Sequence, residues 1–338
     1  MDILSEFIYI SNKTKDLINT YVHYFQSTLE ITDNFVHLLN TDISNRNRYN
    51  SSNTYVYYVS KKSKSKFFTI QEAINATLTN VKTIIFIAPG VYNEKIYIMK
   101  DNITLIGFDA KNTILVYNDS KKSVGWTHKT PSVTIKGNNF TAINITFKNS
   151  AGKGFDVGPA LALSATGDKL AFFNCIFLGH QDTVFVGPDL DIQYKENGYR
   201  QYYSECYFEG SCDIIFGRAT CYFDKCNIKI VADEVVNVIA CNAAFKDTKY
   251  GWVFNQCKFV ENASNAETFL AWPWKNYSHV VWIDCIIGDH ISKKRWEFKL
   301  GVTKYKLIII NTHESQYLKN KSLIYSKKNV LAGWNPIL

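Results

Sequence analysis

From about residue 80 onward, apolar and polar positions alternate with the period of a β-strand, in short β-branched and aromatic runs separated by turn residues. Segments 81–88, 103–107, 113–117, 132–137, 142–148 and 161–165 all read as strands, and helical periodicity is rare among them. Several runs echo one another, as Asn102-Ile103-Thr104-Leu105-Ile106-Gly107, Val133-Thr134-Ile135-Lys136-Gly137 and Ala142-Ile143-Asn144-Ile145-Thr146-Phe147. Self-similarity at such spacing is the mark of a solenoid, in which each coil contacts only its neighbours.

Five of the eight cysteines share one local frame, as in Phe173-Asn174-Cys175-Ile176-Phe177 and Ser204-Glu205-Cys206-Tyr207-Phe208, with Cys226, Cys257 and Cys285 in matching contexts. Their separations of 31, 20, 31 and 28 residues are those of equivalent positions on successive coils, so an interior ladder is expected. A zinc site wants close Cys-x-x-Cys pairs, which the chain lacks, and no metal is expected. Two readings stay open: stacked thiols serving as small apolar residues, or one disulfide between adjacent coils, Cys175 with Cys206, in an oxidising compartment.

The first fifty residues differ. Leu17, Ile18, Tyr21, Val22, Phe25 and Leu29 follow helical spacing, which predicts a helix over about 14–29, followed by an Asn/Ser/Arg-rich linker over 40–53. The chain therefore divides into a helical segment with its linker, 1–53, and a solenoid, 54–338. A second helix over 69–76 would cap the open N-terminal end of the core.

Composition narrows the classes. In 338 residues, 46% hydrophobic and 15% aromatic content supply a packed core and exclude a disordered chain. The net charge of +8 comes from dispersed lysines, with clusters over 61–66 and 293–295 that read as solvated surface or as a face for an acidic polymer. No nucleic-acid motif accompanies them, and no apolar run reaches the ~20 residues that span a membrane. The start, Met1-Asp2-Ile3-Leu4-Ser5-Glu6, carries acids where a secretory signal has bases, and the Asn-x-Ser/Thr sequons say little about secretion in so asparagine-rich a chain.

The candidate chemistry lies in two aspartates 31 residues apart in similar contexts, Gly179-His180-Gln181-Asp182-Thr183-Val184-Phe185 and Cys212-Asp213-Ile214-Ile215-Phe216-Gly217. One coil of a parallel solenoid takes roughly twenty to thirty residues, so the two can stack on strands ~4.8 Å apart. Two carboxylates that close repel as anions, which raises the pKa of one and lets it carry a proton near neutral pH. One can attack a carbonyl while its neighbour protonates the leaving alkoxide.

These motifs, together with Phe68-Thr69-Ile70-Gln71-Glu72-Ala73-Ile74, Pro89-Gly90-Val91-Tyr92-Asn93-Glu94, Asn144 through Gly152, Pro273-Trp274 and Val330-Leu331-Ala332-Gly333-Trp334-Asn335-Pro336, resemble the pectin methylesterases over about 54–338. The resemblance implies an all-β, right-handed parallel β-helix with a short N-terminal helical extension. It also implies a monomer without cofactor that acts on an acidic polysaccharide, methylated pectin, outside the cell or at the cell wall. Asp213 would be the nucleophile, Asp182 the acid and later the base, and Gln181 an oxyanion donor; His180, Trp272, Trp274 and Trp296 would line the substrate cleft.

Three positions depart from the family pattern. Pro159 stands where the family has a donating glutamine, Trp272 where it has the arginine that holds the nucleophile, and His180 where it has tyrosine. Loss of one oxyanion donor typically costs about a hundred- to a thousandfold in rate, so reduced activity is expected. The alternatives are a pectin-binding or structural relative with little turnover, in which tryptophans stack on sugar rings, and an esterase for a different ester.

Overall fold

The computed structural model describes residues 54–61, 65–188, 198–231, 237–260, 267–298 and 300–336; the expected helix over 14–29 and its linker lie outside them. The described chain coils into three parallel sheets of ten, eight and seven strands, in which every named pairing is parallel. Successive coils stack in one register, as in the run Leu163–Ala165, Val184–Val186, Ile215–Gly217 and Asn237–Asn242 of the seven-stranded sheet. This is a parallel β-helix, as the repeats predict.

The corners explain one difference from the sequence reading. The run 142–148 reads as a single strand but is two, Thr141–Ile143 and Thr146–Asn149, which belong to different sheets. Asn144 between them adopts φ +57°, and the residues at the same corner of later coils follow: Asn174 at +48°, Glu205 at +54°, Lys225 at +52°, Gln256 at +52° and Asp284 at +49°. One left-handed residue thus turns the chain from one sheet to the next, a conformation that asparagine and aspartate tolerate best. The corner is a backbone event, and the apolar alternation runs through it undisturbed.

The residue after each of these corners points inward. Cys175, Cys206, Cys226 and Cys257 are buried there and Cys285 is half-buried; the Sγ of each lies 3.3–3.6 Å from a carbonyl of the preceding coil. All eight cysteines are free, Cys175 and Cys206 included, so the ladder is one of thiols and the disulfide alternative does not form. Burial pushes the Cys206, Cys226 and Cys257 thiols well above their usual range, which keeps them protonated and unreactive. Beside them runs a stack of rings: Phe147 on Phe177 at 5.3 Å, Phe177 on Phe208 at 4.7 Å, Tyr203 on Phe223 at 4.9 Å and Phe223 on Phe254 at 4.5 Å.

The N-terminal end of this core is capped as expected. A helix, α1 (Ile70–Asn75), starts with a capping box between Thr69 and Glu72 and buries Ile70, Ala73 and Ile74. Its first amides, those of Ile70 and Gln71, donate to the Glu94 carboxylate at 2.9 Å each. The two motifs that contain these residues are therefore one structural joint. Near the C-terminus of the chain, Tyr325, Val330 and Leu331 cover the outer face of the ten-stranded sheet over Tyr202, Tyr222 and Val253.

Two measurements test this core. Phe208→Ala should destabilise the fold by about 3–5 kcal/mol in urea unfolding. A thiol reagent should label at most Cys285 rapidly in the native protein and all eight cysteines after unfolding.

Candidate active site

Val184 pairs with Ile215 and Phe185 with Phe216; carried two residues back, the same register sets Asp182 against Asp213 on neighbouring coils. The Asp182 amide donates to the Cys212 carbonyl at 2.9 Å, which ties the two turns together at the carboxylates. Both aspartates are themselves left-handed corner residues, with φ of +62° and +49°. The conformation that turns the chain into the seven-stranded sheet also presents the acids. Close stacking of the two turns needs small neighbours: a Cβ on Gly210 would lie 2.5 Å from Thr183 Oγ1 and 2.8 Å from the His180 carbonyl.

The sheet beyond the pair has an apolar outer face. Phe185, Phe216, Cys241 and Trp272 stand opposite one another on consecutive strands, and Leu161 and Trp274 join them. Phe185 and Phe216 meet at 5.0 Å, the Trp274 ring stands edge-on to Phe216 at 6.1 Å, and the Trp272 indole Nε1 donates to Cys241 Sγ at 2.8 Å. This wall lies on the strands that continue from the two aspartates, and low polarity strengthens charge effects beside it.

The electrostatics separate the two acids. Burial, and then the charge of Asp213, push the Asp182 carboxyl well above its usual range; the Lys121 ammonium opposes them. The direction of the shift favours a shared proton on Asp182, because burial and the neighbouring charge both disfavour its carboxylate. The Cys241 thiol is raised by burial and by Asp213 and Asp182, which identifies it as a neutral neighbour of the pair. Such an arrangement can perform nucleophilic substitution at a carbonyl with a proton ready for the leaving group. Among the described residues no group of three or more His, Cys, Asp or Glu side chains could hold a metal ion.

A family model, Pectinesterase, matches residues 56–314. The chain belongs to the pectinesterase family. It is 32% identical to pectinesterase 31 of Arabidopsis thaliana over 237 residues, which cover 66% of this chain and 70% of that protein. It is 31% identical to probable pectinesterase A of Neosartorya fischeri over 294 residues, 81% of this chain and 86% of the other. Of some longer relatives it spans about half, 48% of probable pectinesterase 30 of A. thaliana. Among solved structures it is similar to pectin methylesterase from carrot, with a TM-score of 0.72, 22% identity and coverage of 84% of this chain and 94% of the other, a likeness of fold.

The structure brings most of the sequence-predicted residues of this chain together. Asp182, Asp213, Gln181 and His180 lie on the two stacked turns, with the Ala160 amide donating to the Gln181 carbonyl at 3.1 Å. Trp272 and Trp274 stand on the apolar wall. Trp296 is elsewhere in its contacts: it bridges Ala271 and packs at 5.5 Å on the buried Trp282 of the main core.

Two residues near the site have roles that the sequence does not show. One is Lys121, 61 positions before Asp182 and in no motif. The other is Asn149, buried, whose Nδ2 lies within 2.9 to 3.3 Å of the carbonyls of Asp119, Thr130 and Leu161. It lies in the motif 144–152 but is legible there only as a polar residue in an apolar run. In the structure it cinches the excursion 119–130 closed beside the strand entry at Leu161.

The raised carboxyl of Asp182 carries a stability consequence. Its folded-state pKa lies above the unfolded value, so folding is favoured most at pH below the unfolded carboxylate range, and this contribution is lost as pH rises through the folded value. Asp182→Asn removes the group whose carboxylate burial penalises and which must take up a proton on folding. Its Tm should exceed that of the wild type at pH 7 by on the order of 2 °C, with the difference vanishing in acid, as read by calorimetry across pH.

Proposed function

We propose that this protein is a pectin methylesterase that hydrolyses methyl esters of polygalacturonate, with Asp213 as nucleophile and Asp182 as acid and then base. The observation that carries the reading is the stacked pair itself, in which burial of Asp182 and then the neighbouring charge of Asp213 favour a proton on Asp182. An Asp213 oxygen attacks the ester carbonyl carbon, and the bond to the methoxy oxygen breaks as Asp182 gives that oxygen its proton; methanol leaves and an acyl–aspartyl anhydride remains. Water then attacks the acyl carbon, the Asp182 carboxylate takes its proton, and Asp213 departs as a carboxylate. Gln181, on the same turn, donates to the oxygen that becomes negative.

The substrate reading draws on the family and on charge. A related pectin methylesterase of the same fold is known in complex with a hexasaccharide. In this chain Lys275 lies 5.9 Å from the Trp274 ring centroid, so an apolar surface for a sugar ring and a cation for its carboxylate stand side by side. The place of action that goes with this polymer is the cell wall.

Pro159 and Trp272 favour one second reading, a pectin-binding relative with little turnover. Pro159 has no amide hydrogen to offer, and Trp272 directs its indole to Cys241 where the family pattern has an arginine. One assay separates the two. Methanol release from methylated pectin should be measurable for wild type and fall by at least about a thousandfold in Asp213→Asn. Pectin binding without methanol release at high protein concentration would support the second reading instead.

A further inference from the structure

The aspartate pair poses an electrostatic problem that the described catalytic groups leave open. When Asp182 gives up its proton, Asp213 is already bound to the acyl group, and Asp182 is left as a buried carboxylate near an apolar wall. The arginine of the family pattern, a cation beside the pair, is replaced by Trp272.

Lys121 stands at the place where a replacement cation is needed. It opens the short helix Lys121–Val124, and the chain there belongs to the excursion whose two ends, Asp119 and Thr130, are held by Asn149. The Lys121 amide donates to the Pro159 carbonyl at 2.8 Å; next along the coils, the Ala160 amide donates to Gln181 and the Asp182 amide to Cys212. These bonds put Lys121, Pro159, Asp182 and Asp213 on consecutive rungs. The aliphatic stem of Lys121 runs past Gly158, with its Cβ and Cδ 3.5 and 3.9 Å from where a Cβ on that glycine would stand. A bulkier residue at 158 would crowd this stem.

The other ionisable groups around the pair do not supply a fixed positive charge. Asp213 and Cys212 face Asp182 from the next coil, Cys241 from the coil beyond, and His180 shares its own turn. His128, at the far end of the same excursion, lies edge-on to Phe185 at 5.3 Å. Among these groups Lys121 is the fixed cation that acts on Asp182.

We propose that Lys121 is a positioning residue of the pair: its ammonium stabilises the carboxylate that Asp182 becomes once its proton has gone to the leaving alkoxide. Lys121 thereby supports the acid, whereas the family arginine holds the nucleophile. The inference rests on the esterase reading above. It also gives Pro159 a purpose, since its carbonyl anchors the lysine on a rung that has lost its own donor.

The test compares wild type with Lys121→Gln, Lys121→Arg and Lys121→Glu in methanol release across pH. Lys121→Gln should lower kcat about tenfold with little change in KM, and the basic limb of the pH profile should move to higher pH, because Asp182 without its cation holds its proton longer. Lys121→Arg should restore both, and Lys121→Glu should move the limb further. A purely structural role would lower activity in Gln and Arg variants alike without moving the limb. Either that pattern or unchanged kinetics in Lys121→Gln overturns the proposal. Absence of turnover in wild type overturns the esterase reading itself.

Discussion

Every functional feature of this molecule depends on parallel strand pairing held in one register from coil to coil. Each coil contributes a residue at the same place in the cross-section, so a side chain repeats along the axis at the ~4.8 Å spacing of paired strands. Where the repeated residue is apolar, the result is a core that grows by stacking, seen in the phenylalanine column and in the ladder of Cys175, Cys206, Cys226, Cys257 and Cys285. Where it is charged, two like charges are forced together. The pairing of Val184 with Ile215 does both, since it aligns valine and isoleucine inside and Asp182 with Asp213 at the corner.

The corner is where stability and chemistry meet. A left-handed residue costs about 1 kcal/mol or more for any side chain with a Cβ, and aspartate is among those that bear it most easily. Asp182 and Asp213 therefore satisfy a local backbone demand, while their burial and mutual repulsion are unfavourable. The wider coil offsets that cost through packed rings and thiols. Repetition lets a solenoid carry one strained, charged rung among many relaxed ones.

Much of this was legible in the sequence, and the exceptions share a cause. The spacing of the two aspartate motifs and of the cysteine frame follows from register, and register leaves a periodic trace in residue type. The strand echoes were legible for the same reason, and the helix over 69–76 was legible as a cap for the open end of the core. The break at Asn144 was not, because a single left-handed residue does not disturb the alternation on either side. Lys121 and the cinching role of Asn149 were also hidden, since they act through an excursion of the chain between coils, and excursions carry no period. Trp296 shows the converse: its likeness to a cleft position gave no sign that its ring packs on Trp282 in the core.

The central claim is that register couples the two carboxylates, so that burial and then the charge of Asp213 favour the proton on Asp182. A carboxyl-selective titration by isotope-edited infrared or carbon NMR, on wild type and Asp213→Asn, tests it most directly. The account predicts one aspartate, Asp182, that titrates well above the usual carboxylate range in wild type, and a fall in that value in Asp213→Asn, where burial still keeps it raised. An Asp182 that titrates in the ordinary range, or a value unchanged by Asp213→Asn, would contradict it.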